Sequence, residues 1–364
     1  MKNTIQGING LRAISVITVI LYHLSNIGYF KWIITHPLTN ATLGLFLDGP
    51  LGVNLFFVIS GFLVTLLLIE EKNKTGRIQF KDFYLKRGLR IFPAYYTLLL
   101  FYSILSILGI INFTPLSWLT SFTFTKVFCA TEALGFDIYS WHFWSLSIEV
   151  FFYASAPFVF SRSAQLRNII LWMVIFTAIL MRIFIAYKLV PFGPNFYIFT
   201  RIDALIIGSF IAINSQFLWN RLQKLSHLAL LLPLIGLCAI PLIQPWSVQN
   251  HSVIRLIFIP LGNTTGIMAD FFLGMILLYT IKSPKSLGWV KLLDSKLLAW
   301  LGLISYSLYL WQQIFIFGLN YTLLPRYSIG LALLALICIA SASYHFIEKP
   351  ILKWGRQKLN LFST

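Results

Sequence analysis

"LRAISVITVILYH", Leu11–His23, opens the first long apolar run of the chain, and it carries an arginine near one end and a histidine at the other. The run extends over 8–27, and about 20 mostly apolar residues are enough to cross a bilayer as a helix. Eleven helical steps of about 100° carry His23 to within about 20° of Arg12, and the rise separates them by roughly 16 Å along the axis. Taken alone, Arg12 reads as a basic side chain snorkelling to the membrane surface. Taken alone, His23 reads as an interhelical hydrogen-bonding group. Two such groups on one face point instead to a lined polar pathway, because intramembrane ionisable residues usually face a cavity.

Comparable runs follow along the whole chain. They predict an all-α, polytopic membrane helix bundle of about ten spans: 8–27, 50–69, 91–111, 141–160, 168–187, 197–214, 228–246, 258–281, 298–319 and 328–347. Pro233, Pro241 and Pro245 are expected to bend the seventh, which a membrane helix tolerates where neighbours satisfy the freed carbonyls. The composition agrees: 58% hydrophobic residues, 11% charged residues and a mean hydropathy of +0.80 exclude an ordinary soluble domain. The first run has no clear small-residue cleavage site and is followed by similar runs, so it is kept as a span rather than a signal peptide.

The net charge of +17 has no folded soluble region to serve as a nucleic-acid surface, and positive loops explain it better. Of the 28 lysines and arginines, twenty fall in one set of loops and tails, five in the opposite set, and Arg12, Arg182 and Arg201 within spans. The positive-inside rule then puts both termini, 70–90 and 282–297 in the cytoplasm, with the aromatic- and threonine-rich loop 112–140 outside. Residues 1–350 read as one transmembrane domain and 351–364 as a short basic cytoplasmic tail. Cys129, Cys238 and Cys338 have no metal or redox spacing, so they read as packing residues and no metal is expected.

Further polar groups interrupt the apolar runs. In "GVNLFFVISGFL", Gly52–Leu63, the small residues Gly52, Ser60 and Gly61 permit close helix approach, while Asn54 and Ser60 can add hydrogen bonds to a cavity. In "FYLKRGLRIFP", Phe83–Pro93, Lys86, Arg87 and Arg90 can share one helical surface. They read either as a topological anchor or as an anion site, since arginine matches phosphate in bidentate geometry. In "WHFWSLSIEVFFY", Trp141–Tyr153, Trp141 and Trp144 suit the outer interface. Glu149 lies about two turns deeper with no basic residue in its own span, so it needs a partner on another helix. His23, at similar expected depth, is the natural candidate, and a carboxylate there orients an imidazole. In "RIDALIIG", Arg201 and Asp203 can pair within the bundle. In "SYSLYLWQQ", Ser305–Gln313, Tyr306, Tyr309 and Trp311 offer stacking surfaces for a sugar or belong to an aromatic belt.

Together these stretches resemble the acyltransferase-3 family of bacterial membrane acyltransferases, in the family's order and over nearly the whole chain. Arg12 and His23 match its Arg-x10-His pattern. "LFFVISGFL", "LKRGLRIFPAYY", "FWSLSIEVFFY", "RIDALIIG", "SYSLYLW" and "FIEKP" (Phe346–Pro350) match later signatures. Asn54 stands where an aspartate is frequent, and Gln312 where a histidine often follows the tryptophan. No appended extracytoplasmic hydrolase-like domain follows the tenth span, so completion of transfer alone or with a partner is expected.

The resemblance implies transfer of an acyl group, usually acetyl, from cytoplasmic acyl-coenzyme A to an outward-facing hydroxyl, often on a cell-surface carbohydrate or its lipid-linked precursor. In that reading Arg12, Lys86, Arg87 and Arg90 hold the donor, and His23 with Glu149 does the chemistry. Asn54, Ser60, Trp144, Ser145, Tyr306, Tyr309 and Trp311 then line the substrate path, in the cytoplasmic membrane of a bacterium. The competing readings are a different acceptor (peptidoglycan, an antibiotic, a lipid) and a transporter or flippase whose path the same polar residues line. Inverted repeats favour transport, and the sequence shows no clear internal repeat.

Overall fold

The computed structural model describes residues 5–30, 39, 43–128, 138–187, 189–190, 197–225, 228–249, 266–318 and 329–358. Among these residues the regular structure is entirely helical. Fourteen α-helices occur among the described residues: α1 Ile8–Asn26, α2 Gly49–Thr75, α3 Phe80–Ile107, α4 Pro115–Phe122, α5 Phe143–Ser161, α6 Ala164–Ala186, α7 Tyr197–Leu222, α8 Leu228–Gln249, α9 Ile267–Lys282, α10 Gly288–Leu293, α11 Lys296–Leu303, α12 Ser305–Gln313, α13 Ile329–Ser343 and α14 Lys349–Lys358. Two π-helical turns, Ile314–Gly318 and Tyr344–Glu348, continue α12 and join α13 to α14.

Among the described residues seven helices are long and apolar enough to cross a membrane: Ile8–Asn26, Gly49–Thr75, Phe80–Ile107, Phe143–Ser161, Ala164–Ile185, Tyr197–Leu225 and Ile329–Gly355. This is a multi-pass membrane protein. The other three expected spans differ for separate reasons. The run at 228–246 is α8, whose described apolar stretch, Ala229–Ile240, is short. The run at 258–281 is described only from Gly266. The run at 298–319 is two helices broken at Ile304.

The expected basic loop at 70–90 is mostly helix. α2 runs on to Thr75, and α3 begins at Phe80, so Lys86, Arg87 and Arg90 lie on its first three turns. Charges that signal a loop by composition are accommodated on a helix because their aliphatic stems lie along apolar surface. Cys238 is half-buried and Cys338 is exposed, so Cys338 does not fill a core. Cys129 and the middle of the 112–140 loop lie outside the described residues.

The chain divides into two compact units, each assembled from separate segments. The first comprises Met1–Glu70, Arg162–Phe192 and Ile198–Leu303, and the second Glu71–Ser161, Gly193–Tyr197 and Ile304–Thr364.

In the first unit, α2 and α7 cross at a pair of glycines. A Cβ on Gly61 would lie 1.9 Å from the Leu205 carbonyl oxygen, and one on Gly208 2.1 Å from that of Val58. Beside this crossing, the Thr65 hydroxyl donates to Ser209 Oγ at 2.8 Å. Gly61→Ala is therefore expected to lower stability by about 1–3 kcal/mol through overpacking. Gly288→Ala, where an added Cβ meets nothing within 4 Å, is the matched control. Thermal unfolding in detergent checks this; equal melting temperatures for the two variants would refute the crossing.

Candidate functional site

In the first unit α1 is continuous from Ile8 to Asn26, so the expected register of Arg12 and His23 is kept. Both side chains are half-buried. The His23 ring packs edge-on against Tyr22, with centroids 5.3 Å apart. The helix is seated closely on α2: a Cβ on Gly52 would lie 2.8 Å from the Ser15 carbonyl oxygen. At its start the Gly7 amide donates to Asp294 Oδ1 at 2.7 Å, and Gln6 Nε2 donates to the Thr280 and Ser283 carbonyls at 3.0 and 2.5 Å. These contacts fix the axial position of the helix that carries Arg12 and His23.

The same unit holds a buried polar cluster built by α2, α6, α7 and α9. Asn54 is fully buried. Its Nδ2 donates to Asp270 Oδ1 at 2.6 Å, and its Oδ1 accepts from Arg201 Nη1 at 3.3 Å. Arg182 donates to Asp203 Oδ2 and to the Thr200 carbonyl, both at 2.5 Å. Asp203 and Asp270 are wholly enclosed. Two arginines and two aspartates make the cluster neutral, which is the condition under which charges persist in hydrocarbon. An amide can donate to a carboxylate and accept from a guanidinium at once. Asn54 does both, so its amide is committed within the protein. Ser60, six residues on, is half-buried.

The second unit gathers another set of the expected residues. The Arg87 guanidinium lies over the rings of Phe83 and Tyr153, 5.8 and 5.3 Å from their centroids. Tyr153 donates from its hydroxyl to Glu149 one turn earlier on α5. Arg87 is also in electrostatic contact with Glu149 and Arg90. Arg90 is exposed, while Lys86 and Arg87 are half-buried; Arg87 is placed beside the carboxylate by its position over the Tyr153 ring. From α12, Tyr306 donates to the Ile91 carbonyl at 2.9 Å and interacts electrostatically with Glu348 and Glu149. Ser307 donates to Glu348, which the π-helical turn Tyr344–Glu348 presents to α12. Such turns frequently mark functional sites.

Farther along α5 the Ser145 hydroxyl lies 2.6 Å from that of Tyr309, which also donates to the His142 carbonyl at 3.0 Å. The His142 Nε2 is 3.1 Å from the Leu310 carbonyl oxygen, so His142, just before α5, and Ser145 in its first turn are held to α12 by three polar contacts. Trp144 packs against Tyr197, and Trp311 against Phe101, with ring centroids 4.9 and 5.3 Å apart. Trp311 Nε1, Gln312 Oε1 and Gln313 Oε1 are buried with no hydrogen-bond partner among the described residues.

A family model described as "Acyltransferase domain" matches residues 5–345. The chain belongs to the acyltransferase-3 family. A Staphylococcus aureus (strain COL) protein named, provisionally, an O-acetyltransferase is 28% identical over 98% of this chain and 58% of its own length. O-acetyltransferase OatA of Staphylococcus aureus (strain NCTC 8325 / PS 47) is 28% identical over 96% of this chain and 57% of its own length. The chain thus spans less than two thirds of the curated relatives it matches. No solved structure matches it.

Within this acyltransferase-3 chain, the structure puts Arg12, His23, Asn54 and Ser60 in the first unit. It puts Lys86, Arg87, Arg90, Trp144, Ser145, Glu149, Tyr306, Tyr309 and Trp311 in the second. It joins Arg87 to Glu149 through Tyr153, and Ser145 to Tyr309. Sequence reading missed Asp270, Tyr153 and Glu348. Asp270 had a usable signal, a single carboxylate inside the apolar run "IMADFFLGMILLY". Tyr153 had the spacing of four from Glu149, which places two side chains on one helical face.

Proposed function

We propose that this protein is a membrane O-acyltransferase that moves an acyl group, acetyl in the simplest case, from cytoplasmic acyl-coenzyme A to a hydroxyl of a cell-envelope carbohydrate or its lipid-linked precursor. The observation that carries the reading is the unbroken α1, which keeps Arg12 and His23 on one face roughly 16 Å apart. That spacing suits a long donor whose anionic end and reacting thioester are far apart. The family match supplies the reaction class, and the O-acetyltransferase names of the relatives suggest acetyl and an oxygen acceptor.

In this account His23 takes the proton from the acceptor hydroxyl. The oxygen attacks the thioester carbonyl, the carbon–sulfur bond breaks, and the departing thiolate takes the proton back from the imidazolium. Arg12 in the first unit is a ligand for the donor's phosphates, and Lys86, Arg87 and Arg90 are the second unit's candidates for the same role. Glu149, held by Tyr153 and facing Arg87, fixes that guanidinium's orientation. Ser145, Tyr309, Tyr306, Trp144 and Trp311 form the acceptor's polar and aromatic path. Asn54 supports the site through Asp270 and Arg201, and Ser60 lies along the same helix. The protein sits in a bacterial cytoplasmic membrane with both termini and 351–364 inside.

The arginines give the test. Arg12→Ala, Arg87→Ala and Arg90→Ala are each expected to weaken acetyl-coenzyme A binding about ten- to a hundredfold, the worth of one charge-assisted hydrogen bond. Lysine at the same positions rescues only in part, because an ammonium lacks the bidentate fork. Calorimetry or equilibrium dialysis on purified variants reads the effect. Wild-type donor affinity in all three correctly inserted variants would reduce these arginines to topological anchors.

A further inference from the structure

The first unit carries an apolar cavity of about 520 Å³ that belongs to neither polar cluster. Trp172, Phe210, Ile211, Phe217, Met268 and Phe271 line it from α6, α7 and α9. Its one polar lining residue, Asn214, donates its amide to the Phe210 carbonyl at 3.0 Å, within its own helix. Trp172, Phe217 and Phe271 are exposed, so the cavity opens outward from the unit. Water gains nothing in such a space, and a hydrocarbon chain fits it.

One end of the cavity is basic. The Arg221 guanidinium lies 5.7 Å from the ring centroid of the lining residue Phe217. Lys282 Nζ donates to Gln216 Oε1 at 3.1 Å, and Gln216 Nε2 donates to Asn220 Oδ1 at 3.0 Å. Arg167 belongs to the same end. α6 meets α7 through Arg182 and Thr200 at one end and through Trp172 and Phe210 farther along, so the first turn of α6 reaches the last turns of α7. No carboxylate occurs in α6, after Asp203 in α7, or after Asp270 in α9.

We propose that this groove is a binding site for an anionic phospholipid, with an acyl chain against Trp172 and Phe210 and the phosphate between Arg221 and Lys282. Arginine and lysine are the side chains that recognise phosphate, by bidentate hydrogen bonds and as a point charge respectively. The site is separate from the proposed reaction. A bound lipid there ties α6, α7 and α9 together on the outside, as the buried cluster does on the inside.

Trp172 reports on occupancy directly. The protein is purified in detergent and titrated with phosphatidylglycerol or phosphatidylcholine carrying bromine on the acyl chain, which quenches nearby indole fluorescence. The Trp172 contribution is the difference between wild type and Trp172→Phe. Phosphatidylglycerol is expected to quench it saturably, at a concentration at least about tenfold below that needed for phosphatidylcholine. The Arg221→Ala/Lys282→Ala double variant is expected to remove that preference, a loss of roughly ten- to thirtyfold for two basic groups. Both side chains are at least partly exposed, so folding is preserved. Equal quenching by the two lipids in wild type would show bulk lipid contact only and overturn the site. Absence of Trp172 quenching by either lipid would show that the groove is closed to lipid, and would also overturn it.

Discussion

Acyl transfer by His23→Ala should fall about 10²–10⁴-fold, the usual contribution of a positioned general base, while the protein inserts and folds normally. The folding part rests on the position of the side chain. His23 is half-buried near the end of α1, and its ring packs edge-on against Tyr22. Truncation leaves the helix seated through Gly52, Gly7 and Gln6, none of which depends on the imidazole. The donor-binding part rests on distance: with the phosphates held roughly 16 Å away near Arg12, donor affinity should change little while turnover collapses. A fall in donor affinity equal to the fall in turnover would instead make His23 a binding residue. Wild-type acylation at normal expression would end the general-base assignment altogether.

Breaking the buried ion pair should have the largest effect on stability. Arg182→Ala leaves the enclosed Asp203 carboxylate without its cation, and Asp203→Ala leaves a buried guanidinium without its anion. Removing one partner of a buried pair typically costs about 3–5 kcal/mol. The neighbouring Asp270–Asn54–Arg201 chain lies in the same field, since Asp270 interacts with Asp203, Arg182 and Arg201. Losing one charge therefore upsets a neutral group of four. Replacing both partners, as Arg182→Met with Asp203→Leu, should recover most of the loss, because two apolar side chains leave no uncompensated charge. Thermal unfolding of Arg182→Met, Asp203→Leu and their double in one detergent closes a cycle that gives the coupling energy. If each single costs less than about 1 kcal/mol, or the double is no better than the worse single, the pair is not a buried counter-charged unit.

The apolar runs made most long helices readable. The expected 8–27 and 141–160 agree with Ile8–Asn26 and Phe143–Ser161 to within a few residues, because hydrocarbon length is a local property of the chain. The third helix departs most. Its expected start at 91 moves to Phe80, since Lys86, Arg87 and Arg90 lower the local hydropathy without breaking the helix. The break at Ile304 and the two π turns were invisible, because they depend on backbone packing rather than on side-chain pattern.

The polar residues show the same division. That Asn54, Arg201 and Asp203 would seek partners was legible, since each is costly alone in a membrane. Which partners they take was not. Asn54 and Asp270 are 216 residues apart, and no local period links them. Arg87 and Glu149 were each singled out. The tyrosine that stands between them was read only as part of a motif.

The most direct measurement is acetyl transfer by the purified wild-type protein supplied with acetyl-coenzyme A carrying isotopic label in the acetyl group. A membrane O-acyltransferase is predicted to bind the donor and to release free thiol only as label appears in ester linkage on a carbohydrate acceptor or, at a slower rate, as free acetate. The His23→Ala variant should bind the labelled donor and release no thiol above background. A wild-type protein that neither binds acetyl-coenzyme A nor releases thiol, with envelope carbohydrate as potential acceptor and under conditions where it stays folded, would contradict the account. It would then favour a transport path lined by the same polar residues.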